Sequence, residues 1–214
     1  MKRKFQSKKR YIYAFIIATV LFLLGFLITY SVAYVEYQRV ISLQDPISYE
    51  IFKDKIKHSL FNEDICSENS FIEISEDLRI QGSFISAMES NLGKNNKNVL
   101  FRKKFYTLIQ LEHFEFVKTI NKECNKNINT ILFFYSNNEE QRDQSENIGR
   151  LLSVIFQQNQ QNLVIYSFDT NLDSEIINLL KEKYEVSTQI KIIVNEDNSF
   201  TTLTNTNQIQ PLLN

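Results

Sequence analysis

Residues 11–35, YIYAFIIATVLFLLGFLITYSVAYV, run for 25 positions without one charged side chain. Wound as an α-helix at about 1.5 Å per residue, such a run exceeds a hydrocarbon layer of about 30 Å. Tyr11, Tyr13, Tyr30, Tyr34 and Tyr37 stand near its ends, the headgroup level that amphipathic rings favour. A cleaved signal peptide carries a shorter apolar core, so the run reads as a retained signal-anchor, although residues 31–33 are small enough for cleavage. A buried core helix is the remaining alternative. Later apolar runs are strand-sized, so one span is expected.

Charge sets the expected orientation. Six of the 24 basic residues fall in the first ten positions, and no acid precedes Glu36. Residues 36–50 carry one arginine and three acids. Positive charge stays on the cytoplasmic side, and anionic lipid reinforces that choice. The expected arrangement is a cytoplasmic N-terminus, a single pass of the cell membrane and an extracytoplasmic remainder. That remainder holds 18 basic against 25 acidic residues. It lacks the basic stripe of a nucleic-acid groove, so no nucleic-acid partner is expected.

Four segments follow: a basic tail at 1–10, the transmembrane helix at 11–35, a helical stalk and helical region at 36–128, and an α/β domain at 129–214. The helix is expected to continue through residues 36–43. Asp45-Pro46 reads as an N-cap and first helical position, followed by Ile47, Ile51, Ile56 and Leu60. A second helix covers residues 75–93, with Leu78, Ile85 and Leu92 every seven, Gly82 and Met88 near that face, and Gly93 as C-cap. A third runs from about 98 to 122. Its expected apolar face is Phe101, Phe105, Leu108, Leu111 (or Glu112) and Phe116.

From residue 129 the period changes. A strand at 130–136 leads through Ser136, Asn137 and Asn138 into a helix at 142–157. A strand at 163–168 and a helix at 172–184 follow, the latter capped by Asp169 or Asn171. Strands at 189–195 and 199–204 meet across Glu196-Asp197-Asn198, a hairpin signal. Residues 207–213 suit a short helix with Ile209, Leu212 and Leu213 inward. The first two strands should be parallel, because a helix crosses between them. The hairpin adds an antiparallel edge.

This β-α-β-α-β-β-α order resembles the thioredoxin-like fold over residues 129–214. With the basic N-terminus, the span, the helical region and the ILFFYSN strand, the chain looks most like membrane-anchored, archaeal-type thioredoxin-like proteins. In that family a CxxC stands between the first strand and its helix. Its first cysteine is helped toward thiolate by the helix N-terminus, and its second resolves the mixed disulfide. Here Gln141, Arg142, Asp143 and Gln144 are the best match, with Asn138-Glu139-Glu140-Gln141 three residues earlier as the other register. Neither supplies sulfur. The family's cis-proline before the third strand falls within Val186-Ser187-Thr188-Gln189, where Gln189 replaces it beside Thr188. A cis bond there would cost about 2.5–4 kcal/mol, so a trans peptide is expected. The resemblance therefore implies a scaffold whose active-site positions are degenerate.

The two cysteines, Cys66 and Cys124, form neither a CxxC nor a zinc pattern. An oxidising compartment permits them to pair and tie the helical region to the first strand. Two free buried thiols and a redox-active pair are the alternatives. His58 and His113 are the only histidines. Helical spacing separates His113 from Glu112 and Glu115, so surface histidines and no metal site are expected. Glu139, Glu140, Arg142, Asp143 and Glu146 crowd one helix start. They read either as acids stabilising a first turn or as a charged docking patch. No Ser-His-Asp set or phosphate-cradling glycine loop stands out, and no cofactor is expected.

The resulting expectation is a membrane-anchored protein without redox activity, with a binding or structural role outside the membrane. Its partners would be the lipid bilayer and a protein docked on the degenerate face. The alternative is a thiol-disulfide oxidoreductase using Cys66 and Cys124, or a partner's cysteines.

Overall fold

Residues 8–42, 66, 68–187 and 190–213 are described by the computed structural model. The chain divides into two compact units, residues 1–62 and 63–214. In the first unit, α1 runs unbroken over Lys8–Ser42. The helix continues past the apolar run through Ser42. The window Arg10–Val35 has a mean hydropathy of 2.6 and is long and apolar enough to cross a membrane, with none of it buried. The Asp45-Pro46 helix and His58 lie outside the described residues.

The second unit is α/β, with further helices and a small mixed sheet. Helix α2 spans Glu68–Leu92 and α3 spans Lys97–Cys124. Strand β1 (Asn129–Tyr135), helix α4 (Glu139–Gln158), strand β2 (Leu163–Asp169) and helix α5 (Glu175–Lys183) follow. Strands β3 (Lys191–Val194) and β4 (Asn198–Phe200) close a four-stranded sheet in the order β2-β1-β3-β4. β1 and β2 are parallel, while β1–β3 and β3–β4 are antiparallel.

Period-2 alternation sends the strand side chains to two cores. Leu132, Phe134, Tyr166, Phe168 and Ile193 face α3 and α5. Ile131, Phe133, Leu163, Ile192 and Val194 face α4 and the C-terminal turns. β1 is covered on both faces, which is why it reads as an unbroken apolar run.

Several boundaries differ from the sequence reading. Helix α2 begins at Glu68, seven residues earlier, and Phe71 packs against the first core. Leu92 ends α2 exposed, because Gly93 at φ +86 turns the chain away there. Helix α5 starts only at Glu175 with Ser174 as N-cap. Asp169 and Asn171 hold a loop instead. The hairpin turn is Asn195-Glu196-Asp197, one residue earlier, because Asn195 and Glu196 both take positive φ (52° and 62°). The tail forms two 3-10 turns at Thr206–Gln208 and Gln210–Leu212, with Pro211 in the second. Pro211 has no N–H to extend a ladder, yet Ile209 is fully buried as expected.

The largest correction concerns α3. Phe101 and Leu108, expected inside, are exposed. The buried face instead carries Val99, Arg102, Lys103, Thr107, Gln110, His113, Phe114, Val117 and Ile120. The helix is rolled so that Lys103, Gln110 and His113 meet strand β2.

Candidate functional site

The carboxyl ends of β1 and β2 lie side by side, where open α/β sheets keep their sites. Tyr135 ends β1 opposite Asp169 of β2. Residues 136–138 then lead into α4. Ser136 and Asn137 are tied to Ser145 of α4, to Asp169 at the end of β2 and to Asn171 after it. The Ser136 N–H donates to Ser145 Oγ at 3.0 Å, and Ser136 Oγ donates to Asn171 Oδ1 at 2.9 Å. The Asn137 N–H reaches the same Asn171 oxygen at 2.8 Å, and Asn137 Nδ2 donates to Asp169 Oδ2 at 2.7 Å. Thr170 donates both its N–H and its hydroxyl to the Tyr135 carbonyl at 2.9 Å.

Beneath this loop sits a buried charge cluster. Lys103 of α3 and Asp169 are each 5% exposed. Lys103 Nζ lies 2.8 Å from Asp169 Oδ2 and 2.5 Å from Glu89 Oε1 of α2, and 5.5 Å from the Tyr135 ring centre. Burial by itself lowers the Lys103 pKa. The Tyr135 phenol, the Asp169 carboxylate and the hydrogen bonds to Asp169 and Glu89 outweigh it, and the net shift is upward. Burial also pushes the Tyr135 phenol up. The ammonium stays charged, so it is no general base. A cavity of about 220 Å³ beside it is lined by Lys103, Tyr106, Gln110, Tyr135 and Asp169 among others.

Further along α3, the Gln110 side chain brackets Ser167 of the edge strand β2. Its Nε2 donates to the Ser167 carbonyl at 3.1 Å, and its Oε1 accepts the Ser167 N–H at 2.6 Å. His113 is buried rather than on the surface, which corrects the sequence reading. Its Nδ1 meets Tyr166 Oη at 2.7 Å and its Nε2 meets Ser75 Oγ at 3.0 Å. Burial lowers its pKa to about 4. Between pH 4 and 6.5 the unfolded chain then holds a proton that the folded one does not, so stability is lost as pH is lowered through that window. The loss is on the order of 3 kcal/mol. Urea midpoints of the full chain measured from pH 7 to 4.5 should drop steeply, and His113→Gln should flatten the curve. Equal pH dependence in both proteins contradicts this role.

Arg102, 4% exposed, has no hydrogen-bond partner among the described residues and lies 5.3 Å from the Phe84 ring centre. Burial lowers its pKa. The aromatic face offsets part of the cost of an unpaired guanidinium.

The sequence-predicted positions are placed as follows. Asn138 is the α4 N-cap, and Glu139 and Glu140 form its first turn. Gln141, Arg142, Asp143 and Gln144 come next on the helix. The Gln141 and Arg142 N–H groups already bond the Asn138 carbonyl at 3.0 and 2.8 Å. Free helix-end donors therefore belong to the earlier residues. Gln141 Oε1 is buried without a hydrogen-bond partner among the described residues. Arg142 pairs with Asp143 at 3.7 Å, and Glu146 pairs with Lys94 at 2.9 Å. Thr188 and Gln189 lie outside the described residues.

Cys66 and Cys124 are joined as a disulfide with Cα atoms 5.4 Å apart. Cys66 is exposed and Cys124 half-buried. The bond ties the start of α2 to the end of α3, away from the α4 start. Among the described residues, no group of three His, Cys, Asp or Glu side chains is placed to hold a metal.

Sequence reasoning missed Lys103, Glu89, Gln110 and the inward His113. The available signal was the spacing Lys103, Gln110, Val117, seven apart, which puts two polar side chains on one stripe with a core valine.

These features define a class: an α/β domain with a small mixed four-stranded sheet, following one membrane-length helix, with a polar strand–helix junction that holds no sulfur. Comparison with family models, with curated proteins and with solved structures finds no match.

Proposed function

We propose that this is a single-pass membrane protein whose extracytoplasmic domain is a thioredoxin-like scaffold without thiol chemistry, serving a binding or structural role. One observation carries the reading. The chain's two cysteines are bound to each other at the α2–α3 ends, leaving the α4 start with Asn138, Glu139, Glu140 and Gln141. An amide or a carboxylate neither attacks a disulfide nor stores electrons. The sheet order supports the scaffold resemblance, with the C-terminal helix reduced to two 3-10 turns. The helix start at Glu139 favours the earlier of the two registers for the lost motif. The basic cluster in the first ten residues supports the orientation.

The face around residues 138–144 is the docking surface in this reading. Its first turn is acidic and solvent-facing, so a partner with basic or hydrogen-bond-donating groups suits it. A photocrosslinker at Glu140 or Arg142 of the full chain in native membranes should give a discrete adduct, and the adduct from position 142 should weaken at least tenfold with Glu139→Arg and Glu140→Arg together. No adduct from either position, with adducts from distant control sites, counts against this face.

A second reading is thiol-disulfide exchange through Cys66. Its exposure favours it, as does its place two residues before α2, where the helix N-terminus stabilises a departing thiolate. A reduction potential near that of glutathione, rather than below about −300 mV, supports exchange.

A further inference from the structure

The strand β2 lies at an edge of the sheet, and its outer side is only partly closed. The Asn129 N–H bonds the Asn162 carbonyl at 2.7 Å, so even-numbered residues of β2 face β1 and odd-numbered ones face outward. Gln110 satisfies the outward groups of Ser167 with its primary amide, in the manner of a neighbouring peptide. Two residues earlier, the outward N–H and C=O of Ile165 meet no side chain or backbone group among the described residues. They open into a groove of about 1050 Å³. Phe71, Ile72 and Leu78 of α2 form one wall, and Ser153 and Phe156 of α4 the other.

Such an edge is normally blunted by lysine, proline or a bulge. Here the sequence LVIYSF, residues 163–168, has none of these before Asp169. Ile72 on the wall is 56% exposed. Of the three charged residues in the lining, Glu76 and Arg79 pair with each other, which leaves Lys126.

We propose that this groove takes a short extended segment of another polypeptide, added as a strand beside Ile165. The occupant's backbone supplies the alternating donor and acceptor that Gln110 supplies at Ser167. Its side chains alternate between the α2 and α4 walls, so they are apolar and carry no charge at the centre. Gln110 closes one end, which limits the added strand to about four or five residues and makes the complex weak and reversible. The proposal is independent of whether the face at 138–144 binds anything.

The test uses the full chain in lipid nanodiscs and a panel of uncharged pentapeptides with Val, Ile, Leu or Phe at alternate positions. Without peptide, the Ile165 amide should exchange with solvent at least tenfold faster than that of Tyr166, which faces β1. At saturating peptide its exchange should slow at least tenfold. N-methylation of the peptide in one register should abolish binding and in the other leave it within twofold. Ile72→Glu, on an exposed position, should weaken binding at least tenfold with the melting temperature unchanged. The proposal is overturned by failure of the whole panel to slow Ile165 or by equal binding of both N-methylated registers. Protection of Ile165 without peptide also overturns it, whether constant or rising with chain concentration, the latter marking a second copy as occupant.

Discussion

Asp169→Ala is expected to destabilise the second unit by about 3–5 kcal/mol, because it strips a partner from a buried charge. Lys103 sits between Asp169 at 2.8 Å and Glu89 at 2.5 Å, with almost no solvent access. Asp169 also accepts from Asn137 at 2.7 Å and from the Asn171 N–H at 3.0 Å. The substitution therefore loosens residues 136–138 as well as α3. Removing all three charges with Lys103→Met, Asp169→Leu and Glu89→Gln should cost clearly less than the sum of the single changes, since no charge is then stranded. Chemical unfolding at pH 7, followed by the near-ultraviolet signal of the buried tyrosines, measures both effects. A single-variant cost under about 1 kcal/mol, or strict additivity, contradicts the cluster's role. The sign of the pH dependence is also fixed. A raised lysine pKa contributes stability that is complete below the unfolded value and lost only as pH climbs through the folded one. The Lys103 contribution is thus constant across the neutral range, and the loss between pH 6.5 and 4 is the one His113 contributes.

The second large effect is expected from reducing the disulfide. Cys66 and Cys124 are 58 positions apart, and closing such a loop restricts the unfolded chain by about 4 kcal/mol in the chain-entropy treatment. The melting temperature should fall by about 10 °C for a unit of this size. Because Cys66 is exposed, a small reductant reaches the bond without prior unfolding, and the fall should appear soon after its addition. Cys66→Ser with Cys124→Ser should reproduce the reduced protein and no longer respond to reductant. The crosslinking pattern from residues 140 and 142 should survive both treatments at permissive temperature, since the bond lies away from the α4 start. A shift under 2 °C shows that packing alone holds α2 to α3.

How far the sequence could be read depends on what each element buries. β1 and β2 were legible because uninterrupted apolar runs between polar loops admit few alternatives. The parallel pairing followed from the helix between them. The reading of α3 failed because periodicity assumes that buried means apolar. Phe101 and Leu108 formed the plainest stripe, yet Lys103, Gln110 and His113 lie inside, each facing a group that only the fold supplies: Asp169, the Ser167 backbone and Tyr166. A sequence shows the polar residue but not its partner 53 to 66 positions away. Asp169 and Asn171 were misassigned for the same reason. As isolated residues they suit a helix cap, whereas their long-range contacts make them the ties of the 136–138 loop. The disulfide pairing was one of several readings of two distant cysteines, and α2 and α3 decide it by bringing their ends together.

The most direct measurement is dithiol-dependent reduction of insulin or glutathione disulfide by the purified full chain. A scaffold without thiol chemistry gives a rate equal to buffer for the wild-type protein and for Cys66→Ser with Cys124→Ser. Turnover that the wild type sustains over many cycles, and that disappears when either cysteine is replaced, would contradict it.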